Sequence, residues 1–349
     1  MSVSANKLPR IGITIGDPAG IGSEVVLKAL AQFSRDTAVC LPIVIGDAAY
    51  LREAAAQLDL PCDFKTIKKG ETIPDNQIEP LIYNLENISE KIIFGLESSV
   101  TGRAAADYIE TAVEMCLRNE LDAICTAPIS KYAFSLAGIN FPGHTEMLAS
   151  LSNTEEFAMS FFAGKLRVVL LSIHVSLRCA IELVKRDAIV ELIRLTNREM
   201  QRFGIEKPHL AVAGLNPHAG EAGMFGEEEL AEINPAIEQC RAEGIRVAGA
   251  FAADTVFWRA GRGDFDAVIA LYHDQATIAV KSFAFGESVN VTLGLPFVRT
   301  SVDHGTAFDI AGKNRAEHSS MNAAINLAAA LSNQDKQKKK TNYANSERG

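Results

Sequence analysis

Short apolar runs rich in β-branched residues alternate with amphipathic stretches from the start of the chain. "RIGITIGD" and "CLPIVIGD" read as buried strands, and "SEVVLKALAQF" and "AAYLREAAAQL" carry the spacing of helices that would cover them. Strand alternating with helix is the rhythm of a largely parallel sheet in an α/β fold. Residues 64–98, with "KKGETIPDNQIEP", lose this periodicity and predict loops around one short strand. A long amphipathic helix through "TGRAAADYIETAVEMCLRNE" follows, with Thr101 as its expected N-cap, and feeds the buried strand "LDAICTAP".

After Pro142 the texture changes. "FAMSFFAG" and "LRVVLLSIHV" predict adjacent strands joined by a Gly-Lys turn. The α/β alternation then resumes with the helix "DAIVELIRLTNREMQRFG", the strand "HLAVAGLNPHAGE", a helix in "EEELAEINPAIEQCRAEG" and the strand "FDAVIALYHD". "SVNVTLGL" and "FVRTSVDHG" add strands before the helix "SMNAAINLAAALSN", and the polar, basic "NQDKQKKKTNYANSERG" predicts a solvated or disordered tail. The expected division is a domain of residues 1–140 plus 296–332, a second of 141–295, and a tail of 333–349.

Composition narrows the function. With 349 residues, 48% of them hydrophobic, the chain can bury a large core. The net charge of −9 and the lack of a basic run before the tail argue against nucleic acid as partner. Neither an apolar leader nor a long apolar span is evident, so a cytoplasmic protein without membrane contact is expected. Six scattered cysteines without a C-x-x-C pair read as reduced core residues.

The histidines fall at chosen places. His174, His218 and His273 each follow a predicted buried strand. Open parallel sheets bind ligands outside the carboxyl ends of their strands, so three imidazoles could meet there around a catalytic divalent metal. The alternative is that each caps a strand through ordinary backbone bonds. Asn216 and Glu221 flank His218, Asp274 stands beside His273, and Asp254 is either a further carboxylate of the site or a plain helix cap. His144 and Thr145 follow a Pro-Gly turn near a predicted helix start, where anions are favoured. Lys281, Asn290 and Arg299 supply two cations and an amide after His273 and suit an acidic substrate. "GDPAGIGSE" is a strand-to-helix turn but no dinucleotide fingerprint, and "DHGTAFDIAGK" reads equally as a ligand loop or a plain one.

Taken in order, "GDPAGIGSE", "PGHTEM", "GLNPHAGE", "ADTVF", "LYHDQ" and "VNVTLGLPFVRTSVDHGTAFDIAGK" resemble the 4-hydroxythreonine-4-phosphate dehydrogenase (PdxA) family over roughly residues 9–332. The first and last motifs are also similar to isocitrate and isopropylmalate dehydrogenases, which implies their two-domain α/β fold with an interdomain cleft. The resemblance implies His174, His218 and His273 as metal ligands and His144, Thr145, Lys281, Asn290 and Arg299 as substrate-binding residues. It further implies that His304, Gly305, Thr306, Ala307 and Asp309 hold the adenosine part of NAD or NADP. It leaves Asp274, Asp254 and Lys131 as candidate proton carriers. A homodimer completing the active site across its interface is implied as well.

The implied reaction, with Zn, Mg or Co, oxidises 4-phosphooxy-L-threonine to 2-amino-3-oxo-4-phosphooxybutanoate. That product decarboxylates to 3-amino-2-oxopropyl phosphate in pyridoxine 5′-phosphate biosynthesis. Ser23, Ala127 and the surroundings of Asp254 depart from the family pattern and leave open the related substrates 4-phospho-D-threonate and 4-phospho-D-erythronate. A phosphotransacetylase-like acyltransferase would not need the three histidines, and a metal hydrolase would not need NAD.

Overall fold

The computed structural model describes residues 7–284 and 286–346, with side chains through Lys340. The first six residues, on which the expectation about a leader partly rests, and residues 347–349 of the expected tail lie outside that range. The chain begins with β1 (Arg10–Thr14), α1 (Gly22–Ala31), β2 (Leu41–Gly46), α2 (Ala48–Leu58), β3 (Lys65–Lys68) and β4 (Leu81–Asn84). It continues with α3 (Ser99–Leu117), β5 (Ala123–Thr126), α4 (Lys131–Leu136) and α5 (His144–Leu151). Next come β6 (Ala158–Ala163), β7 (Leu166–Leu170), α6 (Leu177–Glu182), α7 (Arg186–Arg202), β8 (Leu210–Ala213) and α8 (Asn234–Ala242). They are followed by β9 (Val247–Phe251), α9 (Ala253–Arg262), β10 (Ala267–Ala270), α10 (His273–Phe283) and β11 (Val289–Leu293), and last by β12 (Val298–Ser301) and α11 (Ser319–Ser346).

Two units are formed. Unit 1 takes the chain up to Glu155 together with Leu295–Asn333, and unit 2 takes Glu156–Gly294 together with the chain from Gln334. The first division falls after Glu155 rather than at 140, because α5 packs on α3 of unit 1.

Unit 1 carries six strands in the order β3-β4-β2-β1-β5-β12, all parallel. Strands buried on both faces read as continuous apolar runs, and Ile11, Ile13, Ile43, Ile45, Leu81 and Tyr83 are all within 2% of full burial. The segment after residue 64 yields two strands where one was expected. β3 pairs only with β4 among the described strands and is mostly solvated, so it lacks an apolar signature. The N-cap of α3 is Ser98, not Thr101: Ser98 Oγ accepts the Thr101 N–H and Thr101 Oγ1 accepts the Ser98 N–H, each at 3.2 Å. This is a capping box, in which Thr101 is the third residue rather than the first.

Unit 2 orders its strands β11-β6-β7-β10-β8-β9, antiparallel from β11 to β7 and parallel beyond. β6 and β7 are joined through Gly164 and Lys165, as their sequence predicts. Leu166, Val168, Val268, Ala270, Val256 and Phe265 form one core under α9 and α10. The expected tail is helical to Ser346, because Asp335 is buried against Arg202 Nε at 2.8 Å and also pairs with Lys339. Desolvation of that carboxyl is outweighed by the two cations, which hold it below the usual carboxylate range. Among the described residues no helix is long and apolar enough to cross a membrane.

Candidate functional site

In unit 2 the arrangement starts from the sheet. β7, β10 and β8 are neighbours and parallel, so the segments after them leave from the same edge. His174 lies four residues past β7, His218 five past β8, and His273 three past β10, as the first residue of α10. Buried polar bonds stitch these loops together. Ser172 Oγ donates to the Leu271 carbonyl (2.9 Å), Gln275 Oε1 accepts from Leu271 N (2.8 Å), and Gln275 Nε2 donates to the Gly214 carbonyl (2.8 Å). One buried glutamine thus ties the end of β10 to the end of β8. Neither Ser172 nor Gln275 was singled out from sequence; their partners lie as far as 99 residues away.

The imidazoles of His174 and His273 stand with ring centroids 5.7 Å apart. Asp274 Oδ1 lies 2.7 Å from His273 Nδ1. That contact favours the tautomer with hydrogen on Nδ1, leaving Nε2 as a donor atom, which is the usual carboxylate–histidine preparation of a metal ligand. His218 is exposed on a left-handed turn and stands 6.3 Å from the Phe225 ring. Among the described residues no three His, Cys, Asp or Glu side chains stand together as a finished metal cage. The donor chemistry nevertheless fits a first-row divalent cation: two imidazoles are paired, one is oriented by a carboxylate, and the third is on the neighbouring loop.

Asp254 is in the first turn of α9, whose N-cap is Ala252, so the plain-cap alternative fails. Asp254 and Asp274 share a cavity of about 480 Å³ with Tyr272, Gln275, Trp258, Ile278 and Phe283. Lys281 is exposed in the last turn of α10, roughly 12 Å further along the axis than His273 by helical rise. Within one chain the structure therefore does not bring it to the histidines. Asn290 lies in β11 opposite Phe161.

In unit 1, β1, β5 and β12 are parallel neighbours and their following loops meet. Asp17 N donates to the Pro128 carbonyl (2.9 Å) and Ile21 N to the Thr306 carbonyl (3.0 Å). Gly16 has φ +69°, and a Cβ there would lie 2.2 Å from the Pro128 carbonyl oxygen, so this turn needs glycine. "GDPAG" and "DHGTAF" are therefore one structure rather than two loops. Within it Thr306 is bonded through its carbonyl, Ala307 is left-handed at φ +42°, Asp309 is exposed, and Gly305 is open. His304 leaves Nε2 buried without a hydrogen-bond partner among the described residues, which fits a polar group of a bound nucleotide. Asp17 was overlooked in the sequence. Burial pushes its carboxyl up to about 6, against bonds from the Ala19 N–H and the Thr101 hydroxyl.

The remaining unit 1 candidates gather behind this edge. Arg299, buried in β12, donates to Thr126 Oγ1 (2.8 Å), and desolvation pulls its guanidinium down to about 10. His144 begins α5, with Thr145 buried beside it. Burial, reinforced by the Arg299 charge, holds the imidazole well below its ordinary value, and Nε2 is buried without a hydrogen-bond partner among the described residues. A neutral imidazole and a buried guanidinium make a dry site suited to an anionic oxygen. Lys131 opens α4, and its Cε lies 3.9 Å from where a Cβ of Gly143 would stand, so it borders the same helix start. The six cysteines are free thiols, four of them buried.

The family model "Pyridoxal phosphate biosynthetic protein PdxA" matches residues 38–328. The chain belongs to the PdxA family. It is 46% identical over 328 residues to D-threonate 4-phosphate dehydrogenase of Cupriavidus necator, covering 94% of this chain and 98% of that protein. It is also similar to the crystal structure of 4-hydroxythreonine-4-phosphate dehydrogenase from Klebsiella pneumoniae, with 37% identity and a TM-score of 0.85 over 95% of this chain and 99% of that one. A 4-hydroxythreonine-4-phosphate dehydrogenase from Burkholderia phymatum gives 43% identity and a TM-score of 0.82, covering 93% and 99%. The chain is a PdxA-family dehydrogenase with the family's α/β architecture.

Proposed function

We propose that this dehydrogenase oxidises a 4-phosphorylated 2,3-dihydroxy acid, 4-phospho-D-threonate, with NAD or NADP and a divalent cation. The likeness at 46% identity to the Cupriavidus necator enzyme of that name carries the choice of substrate. The amino analogue 4-phosphooxy-L-threonine is the second reading, favoured by the names of the Klebsiella and Burkholderia structures.

When bound, the cation would acidify the substrate's secondary alcohol and the nicotinamide would accept hydride from the same carbon. His174, His218 and His273 would hold the cation, with Asp274 keeping the His273 ring in its donor tautomer. Arg299, His144 and Thr145 would receive the phosphate and carboxylate. The dry surroundings of Arg299 strengthen such contacts. The loops at 16–21 and 304–309 would seat the nucleotide, using the buried Nε2 of His304. Asp274, Asp254 or Lys131 takes the hydroxyl proton. The product is a β-keto acid that loses CO2; the electron pair of the broken carbon–carbon bond forms an enol, and reprotonation gives dihydroxyacetone phosphate. From the amino substrate the same steps give 3-amino-2-oxopropyl phosphate.

Lys281 enters this scheme through self-association. Ile278 and Lys281 are three residues apart on α10 and so share a helix face. Ile278 is 66% exposed and Trp258 59%, and with Phe283 they form the apolar side of the hollow that also holds Asp254 and Asp274. A homodimer covering this hollow would place Lys281 at the interface. Ile278→Lys should then shift the protein from dimer to monomer in analytical ultracentrifugation; a wild-type monomer would refute the scheme for Lys281.

To test the activity, the purified chain is incubated with 4-phospho-D-threonate or 4-phosphooxy-L-threonine, NAD+ or NADP+, and Zn2+, Mg2+ or Co2+, with reduced nicotinamide followed by absorbance. The dihydroxy acid should be preferred in kcat/KM by at least about tenfold. The reverse preference establishes the second reading, and no reduction with any combination overturns both.

A further inference from the structure

We propose that Glu229 is a positioning residue for His218, its buried carboxylate holding the left-handed turn that carries this imidazole. The inference rests on His218 belonging to the site described above. His218, Ala219, Gly220, Glu221 and Ala222 have φ values of 53°, 54°, 78°, 45° and 57°, so five successive residues are left-handed and four of them have a Cβ. The left-handed region is strained for a residue with a Cβ, and a run of such residues persists only where the surroundings impose it.

Glu229 supplies the imposing contacts. It is 2% exposed. Its Oε1 accepts from Leu215 N (2.8 Å) and Asn216 N (2.7 Å), and its Oε2 accepts from Asn216 Nδ2 (2.8 Å). The Glu228 carboxylate accepts from the same Asn216 nitrogen at 2.7 Å, so the side-chain amide is gripped from two sides. Asn216 in turn starts the left-handed run, because its carbonyl accepts from Ala219 N at 3.1 Å. The run closes when Phe225 N donates to the Gly220 carbonyl (3.2 Å).

The turn is wrapped tightly on the carboxylate. A Cβ on Gly220 would stand 2.7 Å from Glu229 Oε2, and one on Gly214 would stand 2.9 Å from Ala219 Cα. Glu229 itself opens a π-helical turn, Glu229–Ile233, ahead of α8. Such wide turns re-aim side chains and recur at functional sites. The described partners of the carboxylate are amide N–H groups, so its charge organises backbone instead of neutralising a cation. Removing it strands those donors and releases His218 from its direction.

Glu229→Gln keeps the shape of the side chain but turns an NH2 group toward N–H donors. In this variant, amide hydrogen exchange over residues 217–225 should accelerate at least about tenfold while β8 and β10 keep their protection. After metal is stripped and Co2+ added, the visible Co2+ absorption of Glu229→Gln should match that of His218→Ala and differ from the parent. Parent-like exchange in the turn, or a parent-like Co2+ spectrum alongside a changed His218→Ala spectrum, overturns the proposal. Loss of protection spread evenly over unit 2 would mark Glu229 as general scaffold and also overturns it. If His218→Ala binds Co2+ with the parent spectrum, the ligand assignment fails, while the exchange experiment still decides whether Glu229 holds the turn. Glu229→Asp, which keeps the charge and shortens its reach, should give an intermediate acceleration and covers the case in which the glutamine variant does not fold.

Discussion

Arg299 of unit 1 is buried on a strand and His144 is half-buried at a helix start with its Nε2 enclosed, whereas His174 and His218 of unit 2 stand exposed on loops above a set of buried polar bonds. Desolvation lowers both unit 1 basic groups, leaving the imidazole neutral and the guanidinium charged in a dry setting. An anion site gains from dryness, since each charge-assisted bond is stronger there. A metal site needs accessible lone pairs, so its order comes from second partners: Asp274 for His273, and Ser172 and Gln275 for the loops. The price of accessibility is that such loops must be stiffened by residues that never meet the substrate.

The comparison breaks first at the histidines. His218→Ala and His273→Ala should each lower kcat/KM on the order of 1000-fold with circular dichroism unchanged; a variant with parental activity and Co2+ uptake would remove unit 2 from the chemistry. Arg299→Lys keeps the charge but loses the Nη2 bond to Thr126 Oγ1 and the planar donor set an anion can use, so KM should rise roughly 10- to 100-fold with a smaller change in kcat. An unaltered KM would show that Arg299 does not receive the substrate. Gln275→Leu strands Leu271 N and the Gly214 carbonyl and should cost about 2–4 kcal/mol in urea unfolding; a loss under about 0.5 kcal/mol would mean that the stitch is dispensable.

The smallest effect concerns Asp17 and sharpens the contrast from the unit 1 side. Its folded carboxyl titrates near 6, above the ordinary 3.8, so the folded chain holds the proton more tightly than the unfolded one. The stability this contributes is fully present below about pH 4 and is lost as pH rises through about 6. Asp17→Asn should therefore raise Tm by about 3–6 °C at pH 8 and leave it nearly equal at pH 4. Equal shifts at both values would show that burial does not control this group.

Legibility differed by residue for definite reasons. The strands β1, β2, β5, β7, β8 and β10 were visible because burial on both faces demands uninterrupted apolar residues. β3 was not, since only Ile67 of its four residues is buried. Thr101 reads as a cap in the sequence because a capping box has a hydroxyl at each end, and only the backbone tells which is first. The helical course of residues 333–346 was missed because its anchor, Asp335 on Arg202, joins positions 133 apart.

By itself the sequence determined which residue types leave the ends of which strands: the three histidines, the two aspartates, Arg299 and the glycines of the first turn are written in local motifs. Only the tertiary structure decided the order β7-β10-β8 that puts those ends side by side, the burial that dries Arg299 and His144, and the choice of Gln275 and Glu229 as braces. Apolar periodicity reports burial one residue at a time, but a buried polar side chain is defined by its partners, and those come together only when the chain has folded.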